Sequence, residues 1–141
     1  MPGERVGVEV RLEVTSTQVA GVQNDLTWDG AAVGIAAGSD GRPDCVVNPA
    51  INKAASGFAF LPSGCRATAC TGMRALIVAA DNVDAIADGS LLYTCEVDVA
   101  ADAAAGLYRI DVNHVVMSTR NGFPVHGVLG AASVVAVGAP P

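Results

Sequence analysis

Few residues of this chain are equipped for chemistry, and they are dispersed. Four cysteines stand at Cys45, Cys65, Cys70 and Cys95, an even number without a C-x-x-C pair. Zinc sites usually present their ligands in pairs roughly two to four residues apart, and the histidines lie far off at His114 and His126. Two disulfides are therefore the reading, and disulfides place the mature protein outside the cytoplasm. His114 and His126 flank an Asn121-Gly122 turn and could meet across a hairpin as a metal pair, but exposed or satisfied strand histidines are far commoner, and no metal ligand is assigned. Asp40 and Asp44 in SDGRPD, and Asp81, Asp84 and Asp88 in DNVDAIAD, offer the hard loop oxygens that calcium takes. Neither run matches the D-x-[DN]-x-[DN]-G pattern, and aspartate is ordinary turn chemistry, so no cofactor is expected. There is no G-x-S-x-G elbow, H-E-x-x-H or Gly-rich phosphate loop. The expectation is a protein that does not catalyse.

Such scattered groups acquire a function only through the elements that hold them. Val6, Val8, Val10, Leu12 and Val14 alternate with Gly7, Glu9, Arg11 and Glu13, a strand with one face buried and one wet. VAGVQNDLTWD places Val22, Leu26 and Trp28 inward and Gln23, Asp25 and Thr27 outward. Asn24 falls on the inward side, where it needs a buried partner or a bulge. Residues 30–56 show no sustained period and read as a long excursion that something must pin. GFAFLP is a short strand with Phe58 and Phe60 on one side. RALIVAA reads as a central strand covered on both faces, with Leu76 and Val78 in the core. LLYTCEVDV alternates again, with Tyr93 and Val97 inward, and forms a long-looped hairpin with RALIVAA across DNVDAIADGS. DVAADAAAG supports at most one helical turn. LYRIDV follows with Tyr108 and Ile110 inward; Asn121-Gly122 then turns VVM into FPVHGV, and a last strand lies near Ala132–Val137. Eight or nine strands with no βαβ alternation predict an all-β antiparallel sandwich of the jelly-roll kind.

Composition agrees. Hydrophobic residues reach 51%, with valine and alanine dominant, and β-branched side chains suit a pleated, half-buried surface. Sixteen glycines and seven prolines, scattered along the chain, mark many turns. At 141 residues the chain is expected to form one domain, residues 1–141, with 139–141 as the start of a linker. The N-terminus lacks the apolar region of a signal peptide and reads as the start of a module cut from a longer chain. Fourteen acidic against eight basic residues give a net charge of −6, which repels phosphate backbones and argues against nucleic acid. No apolar run approaches the ~18–20 residues of a membrane helix, so no membrane insertion is expected. Aromatic content is 4%, and every aromatic except Phe123 is placed inward, which argues against a flat sugar-stacking platform.

The spacing leaves the disulfide pairing open between alternatives. Cys45 and Cys65 bracket the excursion, and Cys70 and Cys95 lie near opposite ends of the hairpin expected from RALIVAA and LLYTCEVDV. That arrangement favours Cys45–Cys65 with Cys70–Cys95; the main rival joins Cys65 to Cys70 and leaves Cys45 for Cys95.

Taken in order, VGVEVRLEV, VAGVQNDLTWD with its closing Trp28-Asp29, the strand that opens Asp88-Gly89-Ser90-Leu91, and the later Gly106-x-Tyr108 resemble a cohesin module. The resemblance spans roughly residues 6–137, with departures at Asn24, in the cysteines and across 40–70. It implies a jelly-roll sandwich that recognises a protein partner, such as a dockerin, in an extracellular or cell-surface bacterial protein. By resemblance the docking face bears the second strand above and the later hairpin, which maps to Gln23, Asp25, Thr27, Thr94 and Glu96. Two alternatives use the same fold class: a structural subunit that assembles with copies of itself in a filament or layer, and a carbohydrate-binding module.

Overall fold

A computed structural model of the chain describes residues 5–13, 19–28, 32–65, 69–125, 128–131 and 134–137. They form two antiparallel sheets packed face to face, the sandwich that the alternating strands predict. The first sheet runs β10-β1-β7-β3, with β4 also on β7. It is built from β1 (Arg5–Glu13), β3 (Val33–Ile35), β4 (Cys45–Val47), β7 (Leu91–Val99) and β10 (Val128–Ala131). The second runs β11-β8-β2-β6-β5, with β9 also on β8. Its strands are β2 (Gly21–Trp28), β5 (Gly57–Leu61), β6 (Gly72–Ile77), β8 (Gly106–Ser118), β9 (Pro124–Val125) and β11 (Val134–Val137).

Strand parity decides the core. In β1, Val8, Val10 and Leu12 are buried while Glu9, Arg11 and Glu13 are exposed. From the facing sheet β2 contributes Val22, Leu26 and Trp28. β7 adds Tyr93, Val97 and Val99, and β8 adds Ile110 and Met117. Phe58, Phe60 and Tyr108 pack against this core from its margin, and Phe123 is exposed, as expected. DVAADAAAG forms no helix; its residues turn the chain between β7 and β8.

Four expectations are corrected. RALIVAA is not covered on both faces. In β6, Met73, Ala75 and Ile77 point into the core, whereas Arg74 and Leu76 point out. No helical layer covers this sheet among the described residues, so an antiparallel strand keeps one wet face even where its sequence is apolar. Nor do RALIVAA and LLYTCEVDV form a hairpin. β6 pairs with β2 and β5, β7 pairs with β1, β3 and β4, and the chain crosses between sheets through residues 78–90. The described residues hold eleven strands rather than eight or nine, because the excursion contributes β3 and β4 to one edge of β7. LYRIDV and VVM meanwhile fuse into the single thirteen-residue β8.

The fourth correction concerns the staples. Cys45 bonds to Cys95, and Cys65 bonds to Cys70. The first joins directly opposed residues of β4 and β7, so it pins the excursion to the sheet. Its two sulfurs lie 3.6 and 3.9 Å from Sδ of Met73 in the opposite sheet. The second ties Cys65, after β5, to Cys70, before β6. Pairing Cys70 with Cys95 required those residues to share a hairpin; with β6 and β7 in different sheets the premise is gone.

Candidate functional site

The outer face of the second sheet carries an ordered polar cluster. At its centre β2 presents Asp25, directly opposite Arg74 of β6. Arg74 grips the carboxylate with both arms, Nε to Oδ1 at 2.8 Å and Nη2 to Oδ2 at 3.0 Å. From the other side, Nδ1 of His114 in β8 lies 3.1 Å from Oδ2. Only 4% of the Asp25 side chain remains exposed, against 47% for Arg74 and 76% for His114. The Arg74 hydrogen bonds hold the Asp25 carboxyl below its ordinary range, outweighing the burial that pushes it up.

A bulge brings His114 to this position. Gln23 pairs with Val116 and Asp25 with Asn113, so two residues of β8, His114 and Val115, stand opposite the single Asn24. His114 takes the left-handed conformation, φ 50°, that absorbs the extra residue and turns its ring outward to Asp25. Asn24 therefore has both a bulge and a buried partner. Its amide donates to Tyr93 Oη at 2.9 Å, and Tyr93 Oη donates back to Asn24 Oδ1 at 3.2 Å. Burial pushes the Tyr93 phenol well above its ordinary pKa, so it stays protonated and able to donate.

Above the cluster, Leu76, Gln23 and Val116 form a row across β6, β2 and β8. Leu76 and Val116 are 42% and 56% exposed. Below it lie Gly72, Thr27 and Asp111, with Thr27 Oγ1 accepting from Asn113 Nδ2 at 2.6 Å. The structure thus brings together Gln23, Asp25 and Thr27 on one surface. Thr94 and Glu96 are elsewhere, on the outer face of β7 in the first sheet, where Thr94 stands opposite Glu9 and Val46 and Glu96 opposite Gly7. Their assignment to the same face is corrected by the cross-over that separates β6 from β7. Arg74 was missed in the sequence, and His114 was considered there only as half of a metal pair with His126. Two consecutive polar residues, Asn113-His114, interrupting an alternating strand were the available sign of the bulge.

The aspartate-rich loop has a different organisation. Lys53, the one lysine of the chain, is buried, and its Nζ donates to Asn82 Oδ1 at 2.9 Å and to the Asp84 carbonyl at 2.8 Å. Asp40 accepts from the Arg42 amide within its own turn, and Asp44 pairs with Arg5. No group of three or more His, Cys, Asp or Glu side chains converges among the described residues. Asp29 and His126 lie outside the described residues.

No family model matches this chain, and no curated protein matches it. Solved structures do. A cohesin of Clostridium acetobutylicum, determined in solution, superposes with a TM-score of 0.69 at 14% identity, over 97% of this chain and 83% of the other. The type I cohesin–dockerin complex from Clostridium thermocellum gives 0.68 at 14% identity, over 92% and 88%. The cohesin module of a family 33 glycoside hydrolase from Clostridium perfringens gives 0.67 at 11% identity, over 99% and 89%. Two sheets in this order, matched across nearly the whole length, give this chain the fold of a cohesin module.

Proposed function

We propose that this chain is a non-catalytic recognition module that captures a protein partner of dockerin type on the outer face of the second sheet, the face that carries Gln23, Asp25 and Thr27. One observation carries the reading. The face joins exposed aliphatic side chains, Leu76 and Val116, to an ordered polar centre, Arg74–Asp25–His114. An apolar contact beside fixed charged groups is the anatomy of a protein-binding surface. Similarity to cohesins seen in complex with dockerins supports the class of partner. Two disulfides support an exported, extracellular or cell-surface setting, where such bonds persist.

Titration calorimetry against a panel of recombinant dockerin modules tests this. At least one should bind, and Val116→Asp should abolish the heat without lowering the melting temperature. Absence of binding across the panel, with concentration-dependent oligomers in size-exclusion chromatography, would instead support self-assembly.

A further inference from the structure

The Asp25 cluster presents its polarity to a partner in inverted form. A carboxylate on a sheet face ordinarily offers acceptors. Here Oδ1 is taken by Arg74 Nε and Oδ2 by both Arg74 Nη2 and His114 Nδ1, and the carboxylate lies beneath them. What meets solvent is the His114 ring and Arg74, whose Nη1 has no hydrogen-bond partner among the described residues. Its guanidinium plane is fixed by the bidentate grip from below, so little rotamer freedom remains to be lost on binding.

The charge around it points the same way. On the outer face of the first sheet, Glu9, Glu13, Glu96 and Asp98 outnumber Arg5 and Arg11. On the second sheet the charges of these strands balance, Arg74 and Arg109 against Asp25 and Asp111. In a molecule of net charge −6, this face is the one that does not repel an anion. The aliphatic row of Leu76 and Val116 runs two residues along the strands from Arg74, about 7 Å away.

We propose that the face selects a partner segment bearing an Asp or Glu carboxylate, seated on Arg74, with a neighbouring aliphatic side chain against Leu76 and Val116. This rests on the reading of the second sheet as the docking surface. Asp25 and His114 are positioning residues: Asp25 holds the guanidinium, His114 meets Asp25 from the other side, and Arg74 makes the contact. Arginine suits the task because its planar fork matches a carboxylate.

The test is selection of random dodecapeptides displayed on phage against the folded module, followed by affinity measurement of the winners. Arg74→Gln alone leaves Asp25 buried without its main partner, so the paired variant Asp25→Asn with Arg74→Gln is used, its folding checked by melting temperature. Should the pair not fold, Arg74→Lys, which keeps the charge and loses the fork, takes its place. Wild-type protein should enrich Asp or Glu beside Leu, Ile or Val, and the winners should bind the variant about tenfold or more weakly. Winners that shift the backbone amide resonances of Gln23 and Val116 but carry no acidic residue, or that bind the variant equally well, overturn the inference and leave the docking surface standing. Winners that leave those resonances unmoved, or no winners at all, overturn both.

Discussion

Asn24 and Tyr93 reach toward each other from opposite sheets and exchange hydrogen bonds in both directions inside the core. Asn24 belongs to β2 and Tyr93 to β7, and both are fully buried. Each is the other's means of being tolerated there, because a buried polar group without a partner is costly. Tyr93→Phe should lower stability by about 1–3 kcal/mol through the stranded Asn24 amide. Adding Asn24→Leu should recover part of the loss. Urea denaturation of the two single variants and the double variant measures the coupling directly.

The two disulfides should contribute unequally. Cys45–Cys95 spans a sequence separation of 50 and Cys65–Cys70 a separation of 5. Restriction of the unfolded chain gives about 4 kcal/mol for the first and about 2 kcal/mol for the second. Paired alanine variants, compared by denaturant midpoint, should rank in that order. Peptide mapping without reduction should recover a fragment linking Cys45 to Cys95; one linking Cys70 to Cys95 would contradict the fold as well.

Asp25 ties stability to pH. Its carboxyl is held below the ordinary value of 3.8, chiefly by hydrogen bonds from Arg74. A carboxyl that is more acidic folded than unfolded stabilises the protein above its unfolded pKa, and the contribution disappears as pH falls through the folded one. Melting temperature should therefore hold from neutrality to about pH 4 and decline below it. Asp25→Asn should be less stable at neutral pH and show a flatter acid limb in the same circular-dichroism series.

Trp28 is expected to act as a core residue. Its Nε1 donates to the Cys70 carbonyl at 3.1 Å, and its ring meets Phe60 edge-on with centroids 6.5 Å apart. Gly34 lies so close that a Cβ there would stand 2.9 Å from the indole nitrogen. Trp28→Ala should cost about 3–5 kcal/mol, and Gly34→Ala should also destabilise, since a rigid buried indole cannot swing aside. Unchanged melting with lost partner binding would make Trp28 a recognition residue instead.

Local pattern was legible and topology was not. The alternation of Val8, Val10 and Leu12, and of Val22, Leu26 and Trp28, is a property of each strand alone, and the structure buries those residues accordingly. Asn24 stood out as an anomaly because parity placed an amide inward. Which strands become neighbours is a long-range matter that no local pattern reports. Treating β6 and β7 as a hairpin misled two conclusions together, the pairing of Cys70 with Cys95 and the placing of Thr94 and Glu96 beside Gln23. Arg74 and Leu76 were hidden for another reason. An apolar run reads as buried on both faces, yet antiparallel pairing without a covering layer turns Arg74 and Leu76 of this one to the open face.

Lys53 makes the chain a timer of its own breathing. Its ammonium is closed over by the segment that supplies Asn82 Oδ1 and the Asp84 carbonyl. An amine-acylating reagent can reach it only when that segment swings away, and the sequence has no second lysine to confuse the reading. The rate of acylation at this residue, followed by mass spectrometry, thus clocks a local opening that global unfolding experiments average away.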